Sequence, residues 1–340
     1  MIDKIMINRI IQLSQSIDQT WKKDGYTKDN FSKACTNVLS DFEFDCSLEQ
    51  FDKEMGEWIL AGNLPTQLNV YNAFGQPPVT LFNNGQFVID IYFWMYVDTS
   101  IHSHSFSGAF KLLYGRSVHE IFSVGPKNVF SDDVMSTHIN KTSTKLILPG
   151  DTQEITSGNE FSHRLIHLDA PTVTLCVRTV DDQTKSQWHH FSNGLSIEKR
   201  ALSESVIKGI FYYQYLYTLN PESAVSFLDQ LIDSWDISTT LNFYEQLSID
   251  GMGIGPEAIG CFFDTVVDKY GRSEWFKLYE GFYQMMSETC VEFEGNTADI
   301  RFLEHAINTR YSRAEAYEFL MKIQNSELTQ FQKDQLSILS

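Results

Sequence analysis

His102 and His104 stand one residue apart in Asp98-Thr-Ser-Ile-His-Ser-His-Ser-Phe106, directly after the apolar run Phe87 to Val97. Residues two apart on a β-strand point to one face, so a strand here aims both imidazoles at a common point. Neutral imidazole is a ligand for zinc, iron, copper and nickel, and no cysteine lies nearby in the chain. Metal binding is the chemistry this spacing suggests most directly. Two imidazoles hold a metal weakly, so another element must bring a third donor. His163, His167, His119 and His138 are the candidates, the first two within a strand, turn, strand pattern from Phe161 to Cys176.

The elements that must position these residues fall into three blocks: a helical lead-in over 1–65, a β-rich middle over 66–196 and a helical domain over 197–340. In the first block Ile7, Ile10, Ile11 and Ile17 keep helical spacing, as do Phe31, Ala34 and Val38. Ser47-Leu-Glu-Gln50 has capping-box form ahead of Phe51, Met55 and Ile59. The middle is a series of short β-branched and aromatic runs: 87–97, 109–114, 117–124, 144–148, 161–168, 172–179 and 186–192. Many short strands at close spacing imply a sandwich or barrel rather than alternating β-α units. Helical periodicity then predicts helices near 198–218, 221–234, 237–248, 256–270, 273–289, 296–309 and 313–324. Asn220-Pro221 and Ser312-Arg-Ala-Glu315 mark two of the starts.

Composition narrows the function classes. The 26 basic against 44 acidic residues give a formal charge of −18, with no basic stretch interleaved with aromatics, which argues against nucleic acid and against an anionic membrane surface. Five scattered cysteines without a Cys-x-x-Cys pair read as reduced thiols in a cytoplasmic protein. No signal-peptide core or membrane-length apolar run is present.

His102-x-His104 followed by Gly115, Pro149-Gly150, and His163 followed four positions later by His167 together resemble the two motifs of the cupin superfamily, over about 90–180. The resemblance implies an α+β protein: a central double-stranded β-helix barrel flanked by N-terminal helices and a C-terminal helical bundle. Within cupins the chain is similar to the cysteine dioxygenase-like, three-histidine iron proteins. Phe110-Lys-Leu-Leu-Tyr-Gly115 matches the strand after their His-x-His, and His163-Arg-Leu with Pro171-x-Val-Thr-Leu175 matches their third-ligand segment. The usual cupin carboxylate would fall at Gly108 or Ala109, which cannot ligate. The resemblance thus selects His102, His104 and His163 as metal ligands, with iron(II) the first choice and zinc, nickel, manganese or copper as substitutes.

It also departs from that group. The serine, histidine and tyrosine that follow the third ligand there are Thr174, Cys176 and Arg178 here. Arg178 would point a cation into the pocket and suit a carboxylate or other anionic group. Arg178 and His167 are the expected catalytic side chains, and Phe106, Tyr114, His119 and Arg178 the expected substrate contacts. His167, Asp98 and Ser105 are the expected outer partners of the ligand rings.

The resulting expectation is a mononuclear non-haem iron oxygenase or dioxygenase acting on a small anionic molecule, a thiol or a carboxylate. A 2-oxoglutarate-dependent hydroxylase fits less well, since it usually needs His-x-Asp or His-x-Glu. The alternative from another class is a non-catalytic cupin module that binds a metal or metabolite and signals through the helical domain, which leaves room for a protein partner or a second copy of the chain. Of the Trp188-His-His-Phe191 histidines, alternation lets at most one face inward. Gly251-Met-Gly-Ile-Gly255 reads as a turn between helices. Trp275, Phe276, Tyr279, Phe282 and Tyr283 read as core of a helix.

Overall fold

Four pairs of antiparallel strands are nested in the chain like the halves of one long ribbon, and that nesting defines the architecture. In the computed structural model, which describes residues 5–44, 47–68, 75, 78–95, 98–180, 186–200, 203–250 and 255–339, the strands are β1 Pro78–Asn83, β2 Phe87–Trp94, β3 Ile101–His104, β4 Gly108–Tyr114, β5 Ser117–Ser131, β6 Val134–Ile147, β7 Thr152–Ile155, β8 Gly158–His167, β9 Thr172–Thr179, β10 Gln187–His190 and β11 Leu195–Lys199. The β5–β6 hairpin is the ribbon's tip; β4 then pairs with β7, β3 with β8 and β2 with β9. Wound on itself, the ribbon gives a sheet in the order β1-β2-β9-β4-β7 and a closed barrel in the order β10-β11-β6-β5-β8-β3. This is a double-stranded β-helix of jelly-roll type.

Three helices precede it, α1 Ile5–Lys23, α2 Lys28–Asp41 and α3 Leu48–Leu60, and eight follow: α4 Glu204–Leu219, α5 Pro221–Ser234, α6 Ile237–Asp250, α7 Pro256–Tyr270, α8 Glu274–Thr289, α9 Ala298–Asn308, α10 Arg313–Gln324 and α11 Gln330–Leu336. Their starts follow local chemistry. The side chains of Ser47, Asn220 and Ser312 accept from the amides of Gln50, Ser223 and Glu315, and Pro221 opens α5 where its missing N–H costs nothing. Neither expected capping box closes. Gln50 donates to Glu54 instead, and Glu315 accepts from Lys141 and Thr144 on β6.

Alternation along the strands separates the cores. The outer face of the five-stranded sheet, with Ile89, Ile91, Ala109, Leu113, Val173, Leu175 and Val177, packs under Ile10, Leu13, Ile17, Phe31 and Phe51 of α1–α3. Lys111 lies on this face too, and its ammonium donates to the carbonyls of Leu39 and Phe42 at the end of α2, where a cation complements the helix dipole. On the barrel, Val134, Leu195 and Ile197 pack against α4–α8, while Val118, Ile166 and Leu168 pack against α9–α11. Inside remain Phe110, Leu112, Ile147, Ile155, Phe161, Leu165 and Cys176.

Several elements differ from expectation. β5 and β6 run far beyond 117–124 and 144–148, because polar residues such as Asn128, Ser136 and Asn140 hide a ladder that continues to the β5–β6 turn. Residues 198 and 199 end β11 rather than begin a helix, and α4 starts at Glu204. β1, β7 and α11 lack a strong pattern of their own. Tyr96, Val97 and 251–254 lie outside the described residues. No described helix is long and apolar enough to cross a membrane.

Candidate metal centre

His102 on β3 lies directly opposite His163 on β8, and His104 shares its strand. The ring centroids are 4.7 Å apart for His102 and His104, 4.6 Å for His102 and His163, and 5.0 Å for His104 and His163. One nitrogen from each lies within 4.8 Å of the other two, and all three residues are buried. His104 Nε2 and His163 Nε2 stand 2.9 Å apart.

The outer nitrogens explain which ring atoms face the centre. His102 Nδ1 is 2.8 Å from the Ser100 carbonyl, which can only accept, so Nδ1 carries the proton and Nε2 keeps its lone pair. His163 Nδ1 is 2.8 Å from His119 Nε2, so that contact can hold a proton away from His163 Nε2 in the same way. His104 Nδ1 and His119 Nδ1 are buried without a hydrogen-bond partner among the described residues. Burial depresses the basicity of every ring in the group: His102 and His119 fall to about 4, and His104 and His163 well below the usual imidazole value. All are neutral at pH 7, the state in which imidazole donates to a metal. A tetrahedral ion with bonds of about 2.0–2.1 Å keeps its ligand atoms about 3.3 Å apart, a separation that lies between the observed 2.9 Å and the 4.8 Å limit. The three rings fit an ion.

The other expected residues are distributed unevenly. Phe106, in the link from β3 to β4, has its ring 4.5 Å from that of His104, and the Arg178 guanidinium lies 5.0 Å from the Phe106 ring centroid. Arg178 faces inward beside Cys176, opposite Gly108, where an added Cβ would meet the Val177 carbonyl at 2.0 Å. Its Nε donates to Asp90 Oδ2 at 2.9 Å, and Asp90 also accepts from Thr80 and Tyr92. Arg178 therefore enters the barrel as half of a buried ion pair. Tyr114 lies elsewhere: a register shift between Leu112 and Tyr114 turns its side chain to the outer face, where it packs toward Phe51 of α3.

His167 also stands apart. It is four residues from His163 on the same strand, about 13 Å along it at the usual rise. There it stacks on Trp94 with centroids 4.4 Å apart and shares a hydrogen bond with Ser117 Oγ. His138 is exposed on β6. Of the β10 pair, His189 lies opposite His102 with its ring 6.4 Å away, while His190 Nδ1 bonds to Ser196 Oγ. The partner of His163 is His119, expected from the sequence as a substrate contact; the two rings meet because β5 pairs with β8, which local pattern does not show.

Behind the centre, on the opposite face of the same strands, Glu120 and Arg164 form a buried ion pair that also takes in Tyr311 and His305. Burial raises the Glu120 carboxyl, but hydrogen bonds from His305 and Tyr311 and the charge of Arg164 outweigh it and hold it ionised. A separate cleft of about 680 Å³, lined by Arg116, Asp169, Asn296, Asp299 and Gln324, contains none of the histidines.

No protein-family model and no curated protein matches the chain. Among solved structures, it is similar to a chain from the DMSP lyases RdDddP and RnDddQII (14% identity, TM-score 0.23), covering 32% of this chain and half of that one. It is also similar to hydroquinone 1,2-dioxygenase from Sphingomonas sp. TTNP3 (12% identity, TM-score 0.25, 32% of this chain and 69% of that one). A cupin superfamily protein from Desulfitobacterium hafniense is a third (14% identity, TM-score 0.21, 35% and 96%). Alignments this loose carry no argument. The strand pairing decides the fold, since the nested pairs of β2 to β9 wind as the double-stranded β-helix does. The chain has a double-stranded β-helix fold. That barrel also accounts for the histidines, because the strand that carries His-x-His pairs with the late strand that carries His163.

Proposed function

We propose that this protein is a cupin-type mononuclear non-haem iron oxygenase in which His102, His104 and His163 hold iron(II) and a small anionic molecule reacts beside it. One observation carries the reading: three buried neutral imidazoles from two strands converge, and the outer nitrogens of His102 and His163 are engaged by Ser100 and His119. Iron(II) bound by three neutral ligands would supply a Lewis-acidic centre with open positions for substrate and dioxygen. The protein's own share is position and shielding. His119 fixes the His163 ring, Ser100 fixes that of His102, and Phe106 and Phe161 cover the centre with apolar surface. Arg178, matched in charge by Asp90, backs Phe106. We place the protein in the cytoplasm, in keeping with free thiols at Cys35, Cys176, Cys261 and Cys290.

A second reading, a binding module that signals to a partner through its helices, is favoured by the Glu120 cluster. Glu120, next to His119, is tied directly to His305 of α9 and to Tyr311 before α10, and Arg164, next to His163, is tied to them through Glu120. Oxygen uptake separates the readings. Iron(II)-loaded protein should consume dioxygen in the presence of a small organic acid, and His102→Ala should abolish it. Bound iron without turnover, together with changed hydrogen exchange in α9 and α10 on loading, would favour the module.

A further inference from the structure

Resting on the three-histidine reading, we propose that the guest of this centre is an aromatic acid, whose anionic head meets the ion while its ring lies among Phe106, Phe110 and Phe161. The first argument is charge. Three neutral imidazoles leave a divalent ion uncompensated, and no carboxylate joins the cluster among the described residues. The buried carboxylates nearby are committed: Asp90 to Arg178, Thr80 and Tyr92, and Glu120 to Arg164 and Tyr311 on the other face of β5. A guest that brings its own negative donor removes the cost of a buried uncompensated cation. The same commitments disfavour a guest whose ammonium stays clear of the ion, because that charge would need a carboxylate that is already paired.

The second argument is the wall. Three phenylalanines from three elements close on the ligand rings: Phe106 at 4.5 Å from His104, Phe161 at 4.8 Å from His163, and Phe110 at 6.2 Å from His163 and 6.0 Å from His119. These separations are those of edge-to-face and offset ring pairs, which an aromatic guest can join and a short aliphatic acid cannot. Ile121, Leu165 and Ile155 fill the same cluster and add no charge.

The test uses the full chain loaded with cobalt(II), titrated with benzoate, acetate and L-cysteine and read by the visible ligand-field bands and by calorimetry. Benzoate and acetate share a carboxylate, so their difference reports the ring. Benzoate should bind at least about tenfold more tightly than acetate and more tightly than cysteine. Phe161→Leu and, in the more accessible link, Phe106→Leu should shrink that preference to about threefold or less while cobalt content and acetate affinity hold. Equal binding of benzoate and acetate, or cysteine as the tightest of the three, would overturn the aromatic guest and leave the metal centre standing. Failure to take up cobalt at all would overturn the centre itself, and this proposal with it.

Discussion

His163 and His167 lie on one strand and one face, both buried and both held neutral by burial, His167 at about 3 and His163 well below its ordinary value. Their surroundings differ completely. His163 has a ring nitrogen 2.9 Å from His104 and the other 2.8 Å from His119, whereas His167 is stacked on Trp94 and bonded to Ser117. Burial and depressed basicity are thus common property of histidines inside this barrel. Convergence of lone pairs is what distinguishes the candidate centre from a packed core.

Alanine at each position breaks the comparison most sharply. His163→Ala should weaken metal binding by more than about 100-fold, the upper range for losing a mere supporting partner, and His167→Ala should leave it within error, with elemental analysis as the measurement. Next in size is His119, whose loss should cost about 10–100-fold in metal affinity. His119→Gln, which can still accept from His163 Nδ1, should recover most of that loss in a competition titration with a chelator.

Acid should treat both histidines alike. An unfolded chain takes up protons near pH 6.5, but the folded chain resists until about 4 at His102 and His119 and about 3 at His167. Stability of the metal-free protein should therefore be full above pH 6.5 and fall as pH drops below it, by about 1.4 kcal/mol per pH unit for each such histidine. Urea unfolding at pH 7, 6 and 5 measures this, and His167→Phe should lower the slope by one proton's share. Ser117→Ala deprives His167 of its hydrogen bond. It should cost about 1–3 kcal/mol of stability and leave metal content unchanged.

Much of this was readable from local pattern. β9 follows its predicted limits, 172–179, because both of its faces are buried and every residue suits a strand. Asn220-Pro221 starts α5 as its chemistry requires. Other features depend on pairing that no local pattern carries. The register shift that turns Tyr114 outward exists only because β4 lies against β9, and His119 becomes the partner of His163 only when β5 pairs with β8. Asn193-Gly194, with Gly194 at φ +90°, turns β10 into β11, so residues 198 and 199 end a strand and the helix expected from 198 starts only at Glu204. Arg178 looks like an open cation in the sequence because Asp90, its neutralising partner, lies 88 residues away in the chain.

X-ray absorption on the zinc-loaded protein tests the central claim most directly. The account predicts about one ion per chain bound by three imidazole nitrogens at about 2.0–2.1 Å, with no sulfur in the first sphere although Cys176 lies in the same barrel. Fewer than three imidazoles, a sulfur neighbour, or an unchanged spectrum in His163→Ala would contradict it.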